Sequence, residues 1–449
     1  MEKRIAIICA GLLAFASLVY RPFCASVNAQ SDKILPKDRE RAKAMLADMR
    51  EALKKNYYDP AFHGVDLEAR YQAFKERLEK AETLGDSYRT IAAFMSGFDD
   101  SHTFFIPPRR SYRTEYGYRM QIVGDACYIT EIRPETDASA KLHIGDQVVS
   151  LDGYGVNRKD LWQLDYFLNE LAPKPASDFT LRSPSGTVRK EQVLTKYVQG
   201  KRLKDMTLSH GVDNDIYNVI FEQDKEMHLL RSRYAEQGDV MIWKMPAFIQ
   251  TEGEVDHLMS IARKHKALIL DLRDNSGGYV ITLNRLIGNV FDHDVKLGER
   301  VTRKGEKVLV AKSRGNSAFT GDLVVLVDSG SASAAELFAR VIQLEHRGKI
   351  VGDRSSGSVM ESLRYEFQAG AVDIAVFYSA SVTEANLLMT DGKSLEKTGV
   401  TPDEVILPTA QDLAEGKDPA LARAMELIGL KLDPTVAGKL FPFEWLPLE

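Results

Sequence analysis

The stretch LVVLVDSGSASAAELFARVIQLEHRGKIVGDRSSG, residues 323–357, decides how the rest of the chain is read. It opens as an apolar run behind Gly321-Asp322, the pattern of a buried strand. It turns through Ser329-Gly330-Ser331-Ala332-Ser333 and becomes helical, with Leu337, Val341 and Leu344 on one face and Phe338 and Ile342 beside them. A second apolar strand follows at Lys349-Ile350-Val351. Strand, small-residue turn and helix together set a hydroxyl at a helix N-terminus, where free N–H groups and the macrodipole favour negative charge. Three serines compete for that place. Ser329 and Ser331 sit early enough to cap or shape the turn. Ser333 is the last hydroxyl before Ala334-Ala335-Glu336, and the N–H of Ala334 lies next to it. A serine at a helix start is ordinarily a cap, so other residues must decide its role.

Outward from this unit, residues 238–382 alternate strand and helix. Strands are expected at 240–244, 267–272, 363–367 and 372–382, and helices at 252–264 and 280–290. Such alternation implies an α/β core with a mostly parallel sheet covered by helices. Strand 267–272 runs into Asp271-Leu272-Arg273-Asp274-Asn275-Ser276-Gly277-Gly278. Paired glycines after a strand let backbone N–H groups approach a ligand or a developing oxyanion, although a plain turn reads the same way.

Residues 112–197 differ. Short alternating strands are expected at 118–123, 126–132, 147–151 and 179–182, separated by turns at Gly124-Asp125, Asp152-Gly153 and Ser185-Gly186, with a helix over 159–171. Residues 37–98 are helical by spacing, with Met45, Met49, Leu53, Tyr71, Phe74, Leu78, Ile91 and Phe94 recurring on helical faces. Breaks are expected at Tyr58-Asp59-Pro60 and Gly85-Asp86. The last of these helices delivers Asp99-Asp100-Ser101-His102-Thr103 at a loop. A helix over 420–430 and a tail close the chain.

The 449 residues carry a formal net charge of -5, with no basic run of the kind that binds nucleic acid. Lys3 and Arg4 precede an apolar run and then small residues up to Val27-Asn28-Ala29, the pattern of a secretory leader; an uncleaved anchor is the alternative. Cys24 lacks the small apolar residues before it that a lipidation site needs. Cleavage would remove Cys9 and Cys24 and leave Cys127 alone, which allows neither an intrachain disulfide nor a cysteine metal site. Export without disulfides is compatible with a bacterial periplasm.

Three groups of residues together resemble a known family. D-L-R-x-N-x-G-G at 271–278, S-x-S-A-x-E at 331–336 and G-V-T-P-D at 399–403 are similar to the C-terminal processing (tail-specific) and tricorn-core serine peptidases. The run 132–153, with its Gly145-Asp146 and Asp152-Gly153 turns, resembles the core of a PDZ domain. The resemblance implies an α/β multi-domain chain: a leader at 1–29, a helical domain at 33–111, a PDZ-like β-domain at 112–198, a peptidase core at 199–410 with a crotonase-like ββα spiral, and a C-terminal helix and tail at 411–449. It implies Ser333 as nucleophile and Gly277, Gly278 and Ala334 as the oxyanion hole. The PDZ carboxylate loop would lie at Gly117, Tyr118 and Arg119.

Ser-Lys members of the family carry a lysine where this chain has Ser358, and Lys349 at a strand start reads as a solvated charge. Another base is needed, and histidine suits neutral pH. His257, His265 and His346 lie in charged helical runs that read as surface. His102 is similar to the D-[GS]-H-T motif of the tricorn-like branch, where a serine (here Ser101) and a glutamate (here Glu396) orient the imidazole; Asp99, Asp100 and Glu345 are alternatives to Glu396. The reading is a secreted serine endopeptidase acting on protein or peptide substrates, with no cofactor and no metal. The alternative is a non-catalytic binder of peptides or apolar ligands on the same scaffold. Oligomeric state is left open.

Overall fold

The computed structural model describes residues 33–108, 112–159, 161–199, 229–369 and 376–446. The leader reading, with Cys9 and Cys24, falls outside the described residues.

The helical segment consists of α1 (Pro36–Asn56), α2 (Leu67–Glu79) and α3 (Leu84–Met95). The second break falls earlier than Gly85-Asp86. Thr83 caps α3, its Oγ1 accepting from the Asp86 N–H (3.1 Å) while Asp86 accepts from the Thr83 N–H (3.0 Å). Gly85 and Asp86 thus form the first turn of the helix, because an Asp three residues after Thr closes a reciprocal cap. Leu46, Met49, Leu53, Phe94 and Phe98 join one apolar cluster with Tyr378, Ala380 and Val382 of a distant strand.

After α3 comes β1 (Phe104–Ile106), followed by β2 (Tyr112–Glu115), β3 (Tyr118–Val123), β4 (Ala126–Ile132), α4 (Asp137–Lys141), β5 (Gln147–Leu151) and β6 (Tyr154–Gly155). Then come α5 (Leu161–Asp165), β7 (Ala176–Arg182), β8 (Val188–Leu194) and β9 (Lys196–Gln199). β3-β4-β5-β7-β8 form an antiparallel sheet, and β2 pairs with β9 at its base. The helix expected over 159–171 is instead short α5 plus a widened turn at Tyr166–Leu171. Leu168 packs in the β-domain core while Leu171 packs in the helical cluster, and one regular helix face does not serve two cores.

The α/β core contains β10 (Arg233–Gln237), β11 (Val240–Lys244), α6 (Glu252–Ala262), β12 (Ala267–Asp271), α7 (Val280–Val290), β13 (Val295–Thr302), β14 (Gly305–Ala311), β15 (Asp322–Val327) and α8 (Ala334–Leu344). It continues through β16 (Lys349–Gly352), β17 (Met360–Ala369), β18 (Val376–Met389) and β19 (Glu404–Val405) to α9 (Ala410–Ala414), α10 (Pro419–Leu427) and α11 (Pro434–Ala437). The main sheet runs β10-β11-β12-β15-β16-β19, parallel except for β10 against β11. Its residues alternate between two cores. Trp243, Leu268, Leu270 and Val325 face α6, α7 and α8, whereas Ile242, Ile269 and Leu326 face α10. Among the described residues no helix is long and apolar enough to cross a membrane.

A second, antiparallel sheet, β1-β18-β13-β14 with β17 on β18, was not legible as a unit. β13 and β14 interleave charges with apolar residues, and β18 runs to Met389, beyond the expected 382. The beginning expected for that strand, 372–375, lies outside the described residues. β1 pairs with β18 through Phe104↔Ser381 and Phe105↔Ala380, which ties the loop before it to the core. His257 and His346 are exposed, but His265 is not the surface group expected. Its side chain is 11% exposed and Nδ1 faces the Ile261 carbonyl (3.1 Å), because the chain folds back there from α6 into β12.

Candidate active site

Asp271 of β12 lies in register with Leu326 of β15, so the turns after both strands leave one end of the sheet side by side. Open parallel sheets bind ligands outside that carboxyl end. Two of the three competing serines are committed there. Ser331 is fully buried, donating to the Leu272 carbonyl (2.7 Å) and accepting from the Asp328 N–H (2.9 Å). Ser329 donates to the Ile122 carbonyl of β3 (2.6 Å).

Ser333 heads α8 with φ 52° and ψ −116°. A side chain in that region costs about 1–3 kcal/mol and persists only where neighbours enforce it. The Ser333 N–H reaches both the Ser358 carbonyl (2.9 Å) and Glu336 Oε2 (3.1 Å). Glu336 is fully buried and also accepts from the Ser355 hydroxyl (2.6 Å), the Gly357 N–H (2.8 Å) and the Ser358 N–H (2.9 Å). Burial outweighs these donors, which favour the ionised form, and its carboxyl is pushed up to about 7. One carboxylate therefore clamps the serine turn to the 355–358 loop.

Gly277 has φ 91°, and a Cβ there would stand 2.7 Å from Ser333 Cβ and 3.0 Å from the Ala334 nitrogen. Only glycine lets the two turns meet so closely. Its own N–H is taken by Asn275 Oδ1 (2.8 Å), whereas the N–H groups of Gly278 and Ala334 donate to no group among the described residues. Asn275 is fully buried and also donates to the Met245 carbonyl (2.6 Å), which fixes this loop.

The histidine side is assembled over a longer distance. Asp99 takes φ 59°, and Asp100 Oδ1 accepts the N–H groups of His102 (2.9 Å) and Thr103 (2.7 Å) and the Thr383 hydroxyl (2.7 Å). Tyr57 donates to Asp100 Oδ2 (2.8 Å). The Ser101 hydroxyl lies 2.9 Å from Glu396 Oε2 and 2.7 Å from His102 Nδ1, while Glu396 also accepts the N–H groups of Ser101 (2.8 Å) and Val359 (2.9 Å). An ionised carboxylate only accepts, so the Ser101 proton points to Glu396. The Ser101 oxygen then accepts from Nδ1–H, leaving Nε2 of the neutral imidazole with its lone pair. Burial holds His102 below the ordinary imidazole value, with Asp100 pulling the other way. Burial likewise raises Glu396, against the donors that favour its charge. Asp99 is engaged by Lys397, and Glu345 is exposed at the far end of α8.

Ser101 and His102 line a cavity of about 800 Å³ whose wall also includes Ala332 and Ser358, the neighbours of Ser333 in sequence and in space. Among the described residues no hydrogen bond joins the Ser333 hydroxyl to the His102 ring. Ser358, at the place of the family's lysine, bonds Ser356 (2.9 Å), and Lys349 is exposed at the opposite end of β16.

Residues 239–406 match the profile of peptidase family S41, and residues 38–91 match the tricorn protease C1 domain. The chain carries an S41 peptidase domain. It is 24% identical over 219 residues to a probable CtpA-like serine protease of Staphylococcus saprophyticus, covering 48% of this chain and 43% of that one. It is 27% identical over 221 residues to a probable CtpA-like serine protease of Staphylococcus aureus, covering 47% and 42%. The chain thus spans less than half the length of these curated relatives. The crystal structure of mature CPAF superposes with a TM-score of 0.61 at 16% identity, over 84% of this chain and 94% of that one, which is a likeness of fold.

Ser333, Gly277, Gly278, Ala334 and Glu396 lie inside the S41 domain. Ser101 and His102 lie outside it, just past the C1 match. Of the three residues expected as a carboxylate loop, Tyr118 and Arg119 line the same cavity as His102, while Gly117 lies behind them against Thr136. Arg119 pairs with Asp274 (2.9 Å) of the glycine-rich turn and covers the Phe443 ring at 4.6 Å. Sequence reasoning missed the organising parts played by Asn275 and Glu336. Both sit inside the quoted motifs, but only burial and hydrogen bonding show what they hold.

Proposed function

We propose that the chain is a serine endopeptidase in which Ser333 is the nucleophile and His102 the base. The observation that carries this is the Glu396–Ser101–His102 hydrogen-bonded chain, which opens on the cavity beside the Ser333 turn. His102 Nε2 removes the hydroxyl proton as Ser333 Oγ attacks the scissile carbonyl. The N–H groups of Gly278 and Ala334 receive the developing oxyanion, with Gly277 supplying clearance rather than a donor. The imidazolium returns the proton to the leaving amine, and a water, activated the same way, releases the acyl group. Hydrogen bonds of this kind often close only around substrate, in keeping with the open Ser333–His102 pair of the resting chain.

The β-domain, read as PDZ-like, would present extended peptide along β3 by strand addition. Its cavity-facing residues Tyr118 and Met120 lead toward Ser101 and His102 and support delivery to the site. Export, read from the leader-like residues 3–29, belongs to the same proposal.

The test is labelling by a fluorophosphonate probe together with casein cleavage. Labelling and cleavage that both disappear in Ser333→Ala support the reading. Cleavage that survives Ser333→Ala removes it, and a wild-type chain that is neither labelled nor active favours the binding-only alternative.

A further inference from the structure

A second cavity, also about 800 Å³, lies across Phe104 and Trp162 from the first, and these two side chains belong to both linings. On its far side are α2 and α3; on its near side are α5 and the widened turn after it. Trp162 and Tyr166 stack with ring centroids 5.7 Å apart and 11° between planes, and both stand edge-on to Phe104 at 6.4 and 6.3 Å. Trp162 is 49% exposed and presents its indole to the groove, while Tyr166 behind it is half-buried against the helical cluster and donates its hydroxyl to the Phe105 carbonyl. At the α2 end the lining carries Arg77 and Lys80, which have no acidic partner among the described residues. Arg89 is already paired with Asp86 and lies over Phe167, which leaves Glu82, among the described residues, as the one lining carboxylate outside an ion pair there.

We infer that this groove binds a stretch of the polypeptide substrate remote from the scissile bond, with a large apolar or aromatic side chain on the Trp162–Tyr166 plate and an acidic one against Arg77 and Lys80. The inference rests on the peptidase reading and adds a specificity element to it. Three features support it. The wall shared with the catalytic cavity sets the two sites side by side, within reach of one extended chain. The exposed Trp162 indole matches what buries at peptide anchors. Two cations against one free carboxylate select the sign of the partner. Binding energy gathered there would be used at the reacting centre, so a substrate too short to reach the groove loses turnover as well as affinity.

The test compares two quenched peptides sharing one sequence cleaved from casein, in full-length protein. One ends near the cleaved bond; the other is extended, on either side in turn, by about eight residues (roughly 26 Å) carrying Phe and Asp. The extended peptide should show kcat/KM about tenfold higher, and the double change Arg77→Glu/Lys80→Glu should abolish that advantage while leaving the short peptide unchanged. Equal rates for both peptides in wild type, or an advantage that survives the double change, overturns the inference. The extension peptide alone is also titrated against the Ser333→Ala protein, followed by tryptophan fluorescence, with and without the double change. Saturable quenching lost on charge reversal supports the groove even if no peptide is cleaved, in which case the failure falls on the peptidase reading. No quenching, with no rate advantage, removes the groove.

Discussion

The two walls of the candidate site are made in opposite ways. The Ser333 wall is local: strand, turn and helix follow one another within residues 322–344, and a neighbouring strand of the same parallel sheet brings the glycine turn alongside. Its precision comes from backbone, with a strained serine clamped by a buried glutamate. The His102 wall is remote. It leaves α3, is shaped by Asp100, and is fastened by β1 to β18 and by Ser101 to Glu396, 295 residues away. A parallel sheet sets positions by register, and a loop sets them by hydrogen bonds. The serine side should therefore fail by losing stability, and the histidine side by losing alignment.

The largest expected effect treats both walls as one unit. Ser333→Ala and His102→Ala should each lower kcat/KM by roughly 10⁴-fold or more, and the double variant should be little worse than either single one. Additive losses would separate the two walls. Next is Glu336→Ala, which takes the acceptor from the Ser355 hydroxyl and the Gly357 and Ser358 N–H groups and leaves the Ser333 N–H with the Ser358 carbonyl alone. It should cost about 3–5 kcal/mol of stability and activity with it, read by denaturant unfolding; a loss under about 1 kcal/mol would show that the turn holds itself.

Smaller effects are expected from the orienting groups. Ser101→Ala and Glu396→Gln should each lower kcat by roughly 10²-fold, Ser101→Ala with unfolding unchanged and Glu396→Gln with a loss of about 1 kcal/mol, because its amide N–H then meets the N–H of Ser101 or Val359. A matching fall in stability would move them to the structural side of the comparison. The pH profile sharpens the point. Burial favours neutral His102, and the neutral ring is the base, so activity should persist below the ordinary value of 6.5 before it is lost as the ring protonates. An acid limb of kcat/KM above pH 6.5 would contradict that burial. The smallest change is expected from Arg119→Ala. Its ion pair with Asp274 is partly exposed, so kcat/KM should fall only a few-fold, with stability within about 1 kcal/mol.

Much of the core was legible because its signals are periodic. The strand over 240–244 and the helix over 280–290 begin and end where their apolar patterns do. The hairpin β13–β14 was not, since one face is solvated and its residues read as polar. Within the site, the glycine pair could be read as an oxyanion donor pair, but the Asn275 side chain, which claims the Gly277 N–H, gives no sign of doing so in a linear pattern. Likewise Arg119 could be placed in a peptide-binding loop, while its partner Asp274 lies 155 positions further on.

The sequence by itself determined the α/β core, the small-residue turn before α8 and the residue types from which a hydrolytic site would be built. These depend on hydrophobic period and on the conformational freedom of glycine, which act over a few neighbouring residues. Only the tertiary structure decided which two serines are spent on distant carbonyls, which carboxylate meets Ser101, and which N–H groups remain without an acceptor among the described residues. Those outcomes depend on burial and hydrogen-bond competition among groups far apart in the chain, and such competition is resolved only once the chain has packed.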